Sequence, residues 1–325
     1  MSVKSLTIYL FTVFLMGIGV AQAMVNVSPI HEESITSDQE SLMWRKMIAI
    51  HGNARAQYTL GVIYAQGQGA PQDYYESLKW FRLAAQQGST LAQLNLGVMY
   101  ANGQGVMRDY ESAADWFHLA AAKRNALAQY SLGVMYSNGQ GVEQSFELAK
   151  KWYQLAAEQG HVRARFNLGV LYNNGQGVEQ DYLEAIRWYS LSAAQGFARS
   201  QFNLGQMYEE GGGVKQDYGE SLKWYQMAAA QGYLQAQNNL GRLYAEGRGA
   251  PQDYVLAYMW FKMAASRGVM TAQRNLIESA KMMIPPQIIE AQRMARDCEM
   301  RDYKGCDGHG RVAMPISITP QPQSN

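Results

Sequence analysis

The sequence predicts an all-α fold, a right-handed α-solenoid of helix–turn–helix units with a 36-residue period. The seven Trp residues fall on one arithmetic series with a step of 36: Trp44, Trp80, Trp116, Trp152, Trp188, Trp224 and Trp260. A Gly-x-Gly pair recurs at the same step, from Gly67 and Gly69 to Gly247 and Gly249. No stretch shows the alternation of apolar and polar residues that is typical of a strand. A fixed period of this length indicates stacked repeats that bury a core only together.

The sequence of each unit predicts two helices. In the first full unit Leu60 and Tyr64 lie at helical spacing, and Gly67-Gln68-Gly69 ends the helix because glycine tolerates a positive φ. Asp73 is a good N-cap for the second helix. Gly61 stands at a packing position, so we expect a bulky substitution there to be costly in a densely packed interior.

The repeat divides the chain into predicted segments. These are a signal peptide (1–23), a flexible N-terminal segment (24–38), the solenoid (39–298) and a Cys-stapled, largely disordered tail (299–325). Within the solenoid they are a half unit (39–55), six full units (56–271) and C-terminal capping helices (272–298).

The N-terminus has the pattern of a secretory signal. Lys4 precedes an apolar run from Leu6 to Val20, and Ala21-Gln22-Ala23 predicts cleavage after Ala23. The run is short for a transmembrane helix, which needs about 20 apolar residues. We therefore expect an exported protein with no stable membrane span after cleavage, in a bacterial periplasm or secreted. A signal retained as an anchor is the alternative.

Composition excludes some classes of function. The chain has 28 Lys and Arg against 27 Asp and Glu, and removal of Lys4 with the signal leaves 27 of each sign. A chain without net charge is not a strongly basic nucleic-acid binder, so no nucleic-acid partner is expected. Two Cys exclude a dense disulfide scaffold.

The repeat resembles a known family. The segments Ala128–Tyr136, Gly139–Val142 and Ala149–Gly160 are similar to the Sel1-like repeat, which is related to tetratricopeptide repeats. The resemblance covers roughly residues 40–298. One departure is Lys123-Arg124-Asn125 in place of the usual Gln-Gly helix end, where Asn125 could adopt the left-handed cap.

This resemblance implies a non-enzymatic adaptor or scaffold that mediates protein–protein interactions through the solenoid groove. Its partner would be a protein or peptide of unknown identity. Some exported relatives with paired cysteines in every repeat are linked to β-lactam binding or hydrolysis, so a cell-envelope enzyme is one alternative. A structural component of an envelope or motor assembly is another.

The search for catalytic, cofactor and metal motifs finds none. The five His, each expected at the surface, do not recur at the repeat period or pair at the i, i+4 spacing of a helical metal site. The Gly-x-Gly turns join two helices, whereas a phosphate-binding loop follows a strand. Cys298 and Cys306 predict a disulfide that ties the tail to the last helix, with a reactive thiol pair as the alternative.

What remains is a candidate partner-binding stripe on the first helices. Tyr58 and Val62 point about 160° away from Leu60 on a helical wheel, from 100° per residue. The stripe and its polar neighbours comprise Tyr58, Val62, Leu94, Val98, Tyr130, Val134, Arg165, Phe166, Val170, Phe202, Gln206 and Arg242. An exposed apolar stripe would indicate a binding surface, whereas the alternative is packing between units. Asn167, Asn203 and Asn239 are further polar positions that could add specificity.

Overall fold

The computed structural model describes residues 35–306, with side chains from Leu42 onwards, and in this part of the chain it contains fifteen helices and no strand. The chain is therefore all-α and built as a repeat solenoid, which confirms the predicted fold class. The predicted signal peptide and most of the predicted tail lie outside the described residues.

The described chain forms two compact units, which divide after Gln180. The helices of the N-terminal unit are α1 (Ile35–Ile50), α2 (Ala54–Gln66), α3 (Tyr74–Gln86), α4 (Thr90–Asn102), α5 (Tyr110–Ala122), α6 (Ala126–Asn138), α7 (Phe146–Glu158) and α8 (Val162–Asn174). The helices of the C-terminal unit are α9 (Tyr182–Ala193), α10 (Ala198–Glu210), α11 (Tyr218–Ala229), α12 (Leu234–Glu246), α13 (Tyr254–Ser266), α14 (Met270–Lys281) and α15 (Pro285–Met300).

The helix ends follow from local sequence. The Asp73 carboxylate accepts hydrogen bonds from the backbone N–H groups of Tyr75 and Glu76, so it satisfies two free donors at the start of α3. Gly67 adopts φ 70° after α2, and its N–H donates to the Ile63 carbonyl. The expectation that Asn125 takes the left-handed cap is wrong: Arg124 has φ 62°, and Asn125 instead caps the start of α6.

The two helices of a repeat approach closely at one glycine. A Cβ on Gly97 would lie 2.5 Å from the ring of Phe117, and a Cβ on Gly241 would lie 2.8 Å from the ring of Phe261. Only glycine permits an aromatic ring of the second helix to lie on the backbone of the first. The aromatic residue is therefore buried at the centre of each helix pair.

Successive repeats are joined by side chains that bond to helix ends. Gln93 donates to the Ala85 carbonyl, which lies at the end of the preceding second helix, and Gln129 donates likewise to Ala121. Each carbonyl also accepts a bond from the backbone N–H three residues later, Gly88 or Arg124, so the glutamine adds a second bond from the next repeat. In the later turns the second glycine permits contact between repeats, since a Cβ on Gly177 would lie 2.5 Å from the Phe146 carbonyl carbon, whereas a Cβ on Gly69 in the first turn would meet no atom within 4 Å.

The array ends where the glycine is lost. Ile277 on α14 stands 36 residues after Gly241, so an aromatic residue cannot lie on the backbone of α14 as it does in the repeats. The last helix, α15, packs instead against α13. α15 lies in the segment for which the sequence predicts a cap, and a disulfide bond joins Cys298 near its end to Cys306.

Candidate partner-binding surface

The candidate stripe is buried in the middle of the N-terminal unit. Leu94 and Val98 belong to the hydrophobic core between α4, α5 and α6, and Tyr130 and Val134 are also buried. For these four residues the burial favours packing between units, which is one of the two alternatives that the sequence leaves open. Neighbouring repeats cover them, so their role is packing.

The remaining stripe residues are half-buried. In the N-terminal unit these are Tyr58, Val62, Arg165, Phe166 and Val170, and in the C-terminal unit they are Phe202, Gln206 and Arg242. A half-buried aromatic ring packs on the core with one edge and keeps another edge accessible. These eight positions are therefore the part of the stripe that a partner could contact.

An aromatic cluster supports the stripe in the N-terminal unit. The ring of Tyr130 stacks on His161 with 4.4 Å between ring centroids, and it lies 5.9 Å from the ring of Tyr153. The Tyr153 hydroxyl donates to Ser137 Oγ at 3.4 Å. Burial raises the pKa of Tyr153 to about 12, so the hydroxyl stays protonated and acts as a donor at neutral pH.

His161 has a structural role that its sequence position did not reveal. Its Nδ1 accepts a hydrogen bond from the Ala164 N–H, which makes His161 the N-cap of α8. Burial, together with the nearby Arg163 charge, lowers the pKa of His161 to about 4. The ring is therefore neutral at physiological pH, as an acceptor at an N-cap must be.

A charged network occupies the same register in the C-terminal unit. The Tyr225 hydroxyl donates to the Glu209 carboxylate at 2.8 Å, and Asn239 donates to the Tyr225 hydroxyl at 3.2 Å. Arg242 forms an ion pair with Glu209 and a second, with 3.4 Å between charged atoms, with Glu246. Burial raises the pKa of Tyr225, and the Glu209 charge beside it acts in the same direction.

The polar positions singled out in the sequence are engaged inside the protein. Asn167 bonds to the hydroxyl of Tyr153, and Asn203 bonds to that of Tyr189. Arg165 stands in the register of Gln129, and it makes the equivalent bond. Its Nε donates to the Ala157 carbonyl near the end of the preceding helix at 3.1 Å, as Gln129 donates to Ala121. These hydrogen bonds hold the three side chains against neighbouring parts of the protein.

Two features of the site were not predicted from the sequence. Glu209 was not a candidate, although it is the partner that orients Arg242, and it stands in the register of Ser137 two repeats earlier. His118 and His161 were expected at the surface but are half-buried, and His118 lies 5.4 Å from the ring of Trp152. Aligning the repeats would have identified Glu209 as the residue that differs from those at the same register in the other repeats.

Among residues 35–306, no group of three or more His, Cys, Asp or Glu side chains is placed to hold a metal ion. Among the same residues, no helix combines the length and the apolar character needed to cross a membrane.

The Sel1 repeat family matches six consecutive stretches of the chain, which are residues 54–89, 90–125, 126–161, 162–197, 198–233 and 234–269. The chain belongs to the Sel1 repeat family. The family places the six repeats two residues earlier than the units read from the sequence. Sel1 repeats commonly mediate protein–protein interactions and are typically non-catalytic scaffolds.

Several solved structures resemble this one. A Sel1 repeat protein from Oxalobacter formigenes is 35% identical with a TM-score of 0.62, and the match covers 71% of this chain and 95% of that chain. A protective antigen of uropathogenic Escherichia coli with an SLR fold is 26% identical with a TM-score of 0.44, covering 87% and 85%. An immunity protein from Pseudomonas aeruginosa is 22% identical with a TM-score of 0.39, covering 69% and 84%. No curated protein matches the chain.

Proposed function

We propose that this Sel1 repeat protein is an exported, non-enzymatic adaptor that binds a protein or peptide on the faces of its first helices. The observation that carries the proposal is the set of half-buried apolar and aromatic residues at two registers of those helices, four residues apart. Tyr58, Val62, Phe166 and Val170 form this set in the N-terminal unit.

The chemistry of the set suits an extended or helical peptide segment. Aromatic rings held by packing on the core contribute contact area at little cost in conformational entropy, and they are common anchors at protein interfaces. Tyr58 is fixed in this way, with its ring centroid 5.7 Å from that of Phe81. Its side chain also bonds to Asn95.

Export is supported by two separate features. The predicted signal peptide ends at Ala23, and the Cys298–Cys306 disulfide is of a kind that persists in oxidising compartments. We infer that the protein works in a bacterial periplasm. Cell fractionation tests this, since the adaptor proposal expects the processed chain in the periplasmic fraction and not among cytosolic proteins.

Affinity capture from envelope extract tests the binding face. The variant Val62→Gln/Val170→Gln introduces glutamine at two stripe positions. The fold should tolerate it, because Gln206 occupies the same register in the C-terminal unit. The matched control is Leu83→Gln/Leu155→Gln, which changes two exposed second-helix leucines. Circular dichroism establishes that both variants keep full helicity.

We expect wild type and the leucine control to retain a shared protein that the valine variant loses. If the valine variant retains the same proteins as wild type, the first helices are not the binding face. If wild type captures no protein and turns over a chromogenic β-lactam, the adaptor proposal fails in favour of the envelope enzyme.

A further inference from the structure

The helix at the N-terminal end of the array has an unusually apolar exposed surface. Trp44 on α1 is 63% exposed, whereas Trp80 and Trp260 at the same register are 7% and 3% exposed. The apolar residues exposed around Trp44 are Met43, Met47, Ile48 and Ile50. These five residues, here called the α1 patch, span an arc of about 160° around the helix, from 100° per residue.

The α1 patch differs from the rest of the outer surface. At the register of Met43 the next five repeats carry a charged residue, as at Lys79, Lys151 and Lys223, and only the sixth carries methionine, Met259. Leucine or methionine is also exposed at the register of Met47 in five repeats, but none of those helices exposes further apolar residues at the registers of Met43 and Trp44. Contiguous apolar surface of this kind indicates an interaction site, whereas single exposed leucines are common.

The same residues recur once in the chain, and there they are covered. Leu42–Ala49 on α1 and Tyr258–Ala265 on α13 share the pattern Met-Trp-x-Lys-Met-x-Ala. Met43 and Met47 are 59% and 46% exposed, but Met259 and Met263 are 1% and 0% exposed. The difference is that α15 packs on α13, while the main helix contact of α1 is α2.

The contact between α13 and α15 indicates what such a surface accepts. On α15 the small residues Ala291, Ala295 and Cys298, at i, i+4 and i+7, are buried. They allow α15 to lie close on α13 while Gln292 donates to the Tyr258 hydroxyl at 3.2 Å. Methionine side chains are flexible enough to adapt to different helices of this kind.

Charge limits the choice of occupant. Around the α1 patch, between Leu42 and Gln72, the chain has Arg45, Lys46 and Arg55 and no Asp or Glu, whereas Asp38 and Glu40 lie in the first part of α1. A second copy docked through α1 in a parallel arrangement would bring the cations together, which is unfavourable. An amphipathic helix with acidic residues beside its apolar stripe would complement them.

The chain's own N-terminus is a poor occupant. To cover the patch as a first helix covers its neighbour, the chain would need a helix one period before α2, at residues 18–30. α2 has 13 residues. Predicted cleavage after Ala23 leaves only seven of the corresponding residues, 24–30. Val25 would stand in the register of Gly61, where a Cβ prevents the close contact seen in the repeats.

We propose that the α1 patch binds an amphipathic helix of another protein, with small residues at i, i+4 and i+7 and acidic flanks. This surface is separate from the first-helix stripe. The adaptor would thus have a docking site for a helix at its N-terminal end in addition to the proposed peptide-binding face.

Fluorescence anisotropy with designed peptides tests the proposal on the full chain as the cell processes it. The probe is a fluorescein-labelled peptide of residues 285–300 with Cys298→Ala, Arg293→Glu and Arg296→Glu, which keeps the small stripe and has acidic flanks. One control peptide replaces Ala291 and Ala295 in this probe by Glu. A second keeps the stripe but has basic flanks, through Glu290→Lys and Glu299→Lys in place of the two Arg changes.

We expect the acidic-flank probe to bind with a Kd on the order of 10–100 μM, and either control peptide to bind at least about tenfold more weakly. The protein variant Met43→Ser/Met47→Ser should weaken the probe at least about tenfold. The matched variant Leu83→Ser/Leu119→Ser should leave its affinity unchanged. Should the methionine variant fail to fold, Met43→Lys alone replaces it, because Lys79 shows that the register accepts lysine.

Equal binding to wild type and the methionine variant would overturn the proposal. Sedimentation of wild type as a dimer that the methionine variant lacks would overturn it in favour of a second copy. Binding that begins only after removal of residues 24–34 would overturn it in favour of the chain's own N-terminal segment. Each result is independent of the Val62→Gln/Val170→Gln capture experiment, so either proposal can fail alone.

Discussion

The two compact units carry the same framework at one register of the repeat but differ in its chemistry. In the N-terminal unit the Tyr153 hydroxyl donates to Ser137, and in the C-terminal unit the Tyr225 hydroxyl donates to Glu209. The first helix that follows each tyrosine also differs. α8 carries Val170, whereas α12 carries the ion-paired Arg242 two periods later in the sequence.

This difference shows which residues stay the same between repeats and which residues vary. Each tyrosine ring lies against a first-helix glycine, Gly133 or Gly205, and each hydroxyl also bonds to an asparagine. The residues around this framework vary between repeats. They change the stripe from apolar and neutral to polar and charged without altering the helix packing.

The largest expected effect is loss of the shared framework. In Gly133→Leu and Gly205→Leu the new side chain meets the tyrosine ring, since a Cβ on Gly205 would already lie 2.5 Å from Tyr225. We expect each variant to lower the free energy of unfolding by at least about 3 kcal/mol. Denaturation in urea followed by circular dichroism measures this.

Gly212→Ala is the control for these glycine variants. No atom lies within 4 Å of a Cβ placed on Gly212, so its stability should stay within about 0.5 kcal/mol of wild type. Wild-type stability in Gly133→Leu or Gly205→Leu would contradict the packing described above.

The next effect concerns the charged pair of the C-terminal unit. Glu209→Gln leaves the half-buried Arg242 without its main partner, and we expect it to lower the free energy of unfolding by about 2 kcal/mol. Ser137→Ala at the same register of the other unit should lower it by less than about 1 kcal/mol, because only a long neutral hydrogen bond is lost.

Placing the residues of the N-terminal unit in the C-terminal unit tests the comparison directly. Glu209→Ser/Arg242→Val gives the C-terminal unit the residues of Ser137 and Val170, so we expect it to be more stable than Glu209→Gln. A double-mutant cycle through Glu209→Ser and Arg242→Val separately measures the coupling energy. Strict additivity of the two changes would contradict the ion pair.

A smaller effect than the loss of the ion pair depends on pH and on the N-terminal unit alone. The pKa of His161 is lowered to about 4, so between pH 6.5 and 4 the unfolded chain binds a proton that the folded chain does not. Stability should therefore decrease as pH falls through this range, with a contribution of about 1–2 kcal/mol at pH 5.

His161→Asn should remove this pH dependence while keeping the cap, since Asn53 and Asn125 cap the equivalent helices. Thermal unfolding of wild type and variant at pH 7 and pH 5 measures the difference. An equal loss of stability in both proteins on acidification would contradict the neutral, capping role of His161.

Much of the fold was predictable because the repeat places the same local signals in every unit. Glycine and aspartate at fixed positions set the helix ends, and the glycine register predicted the close packing of paired helices. Sequence analysis failed where the outcome depends on how repeats stack. The burial of Leu94 and Tyr130 and the Arg242–Glu209 pair, 33 residues apart, result from contacts between repeats that a helical wheel does not represent.

Site-specific photo-crosslinking in living cells tests the adaptor account most directly. A photoreactive phenylalanine analogue is placed at Phe166 on the half-buried stripe, and in a second protein at the exposed Tyr75 on the second-helix surface. The account predicts a crosslinked partner of one defined mass from Phe166 and none from Tyr75. Crosslinks from Tyr75 but not from Phe166 would contradict it, because the partner would then bind the opposite helices.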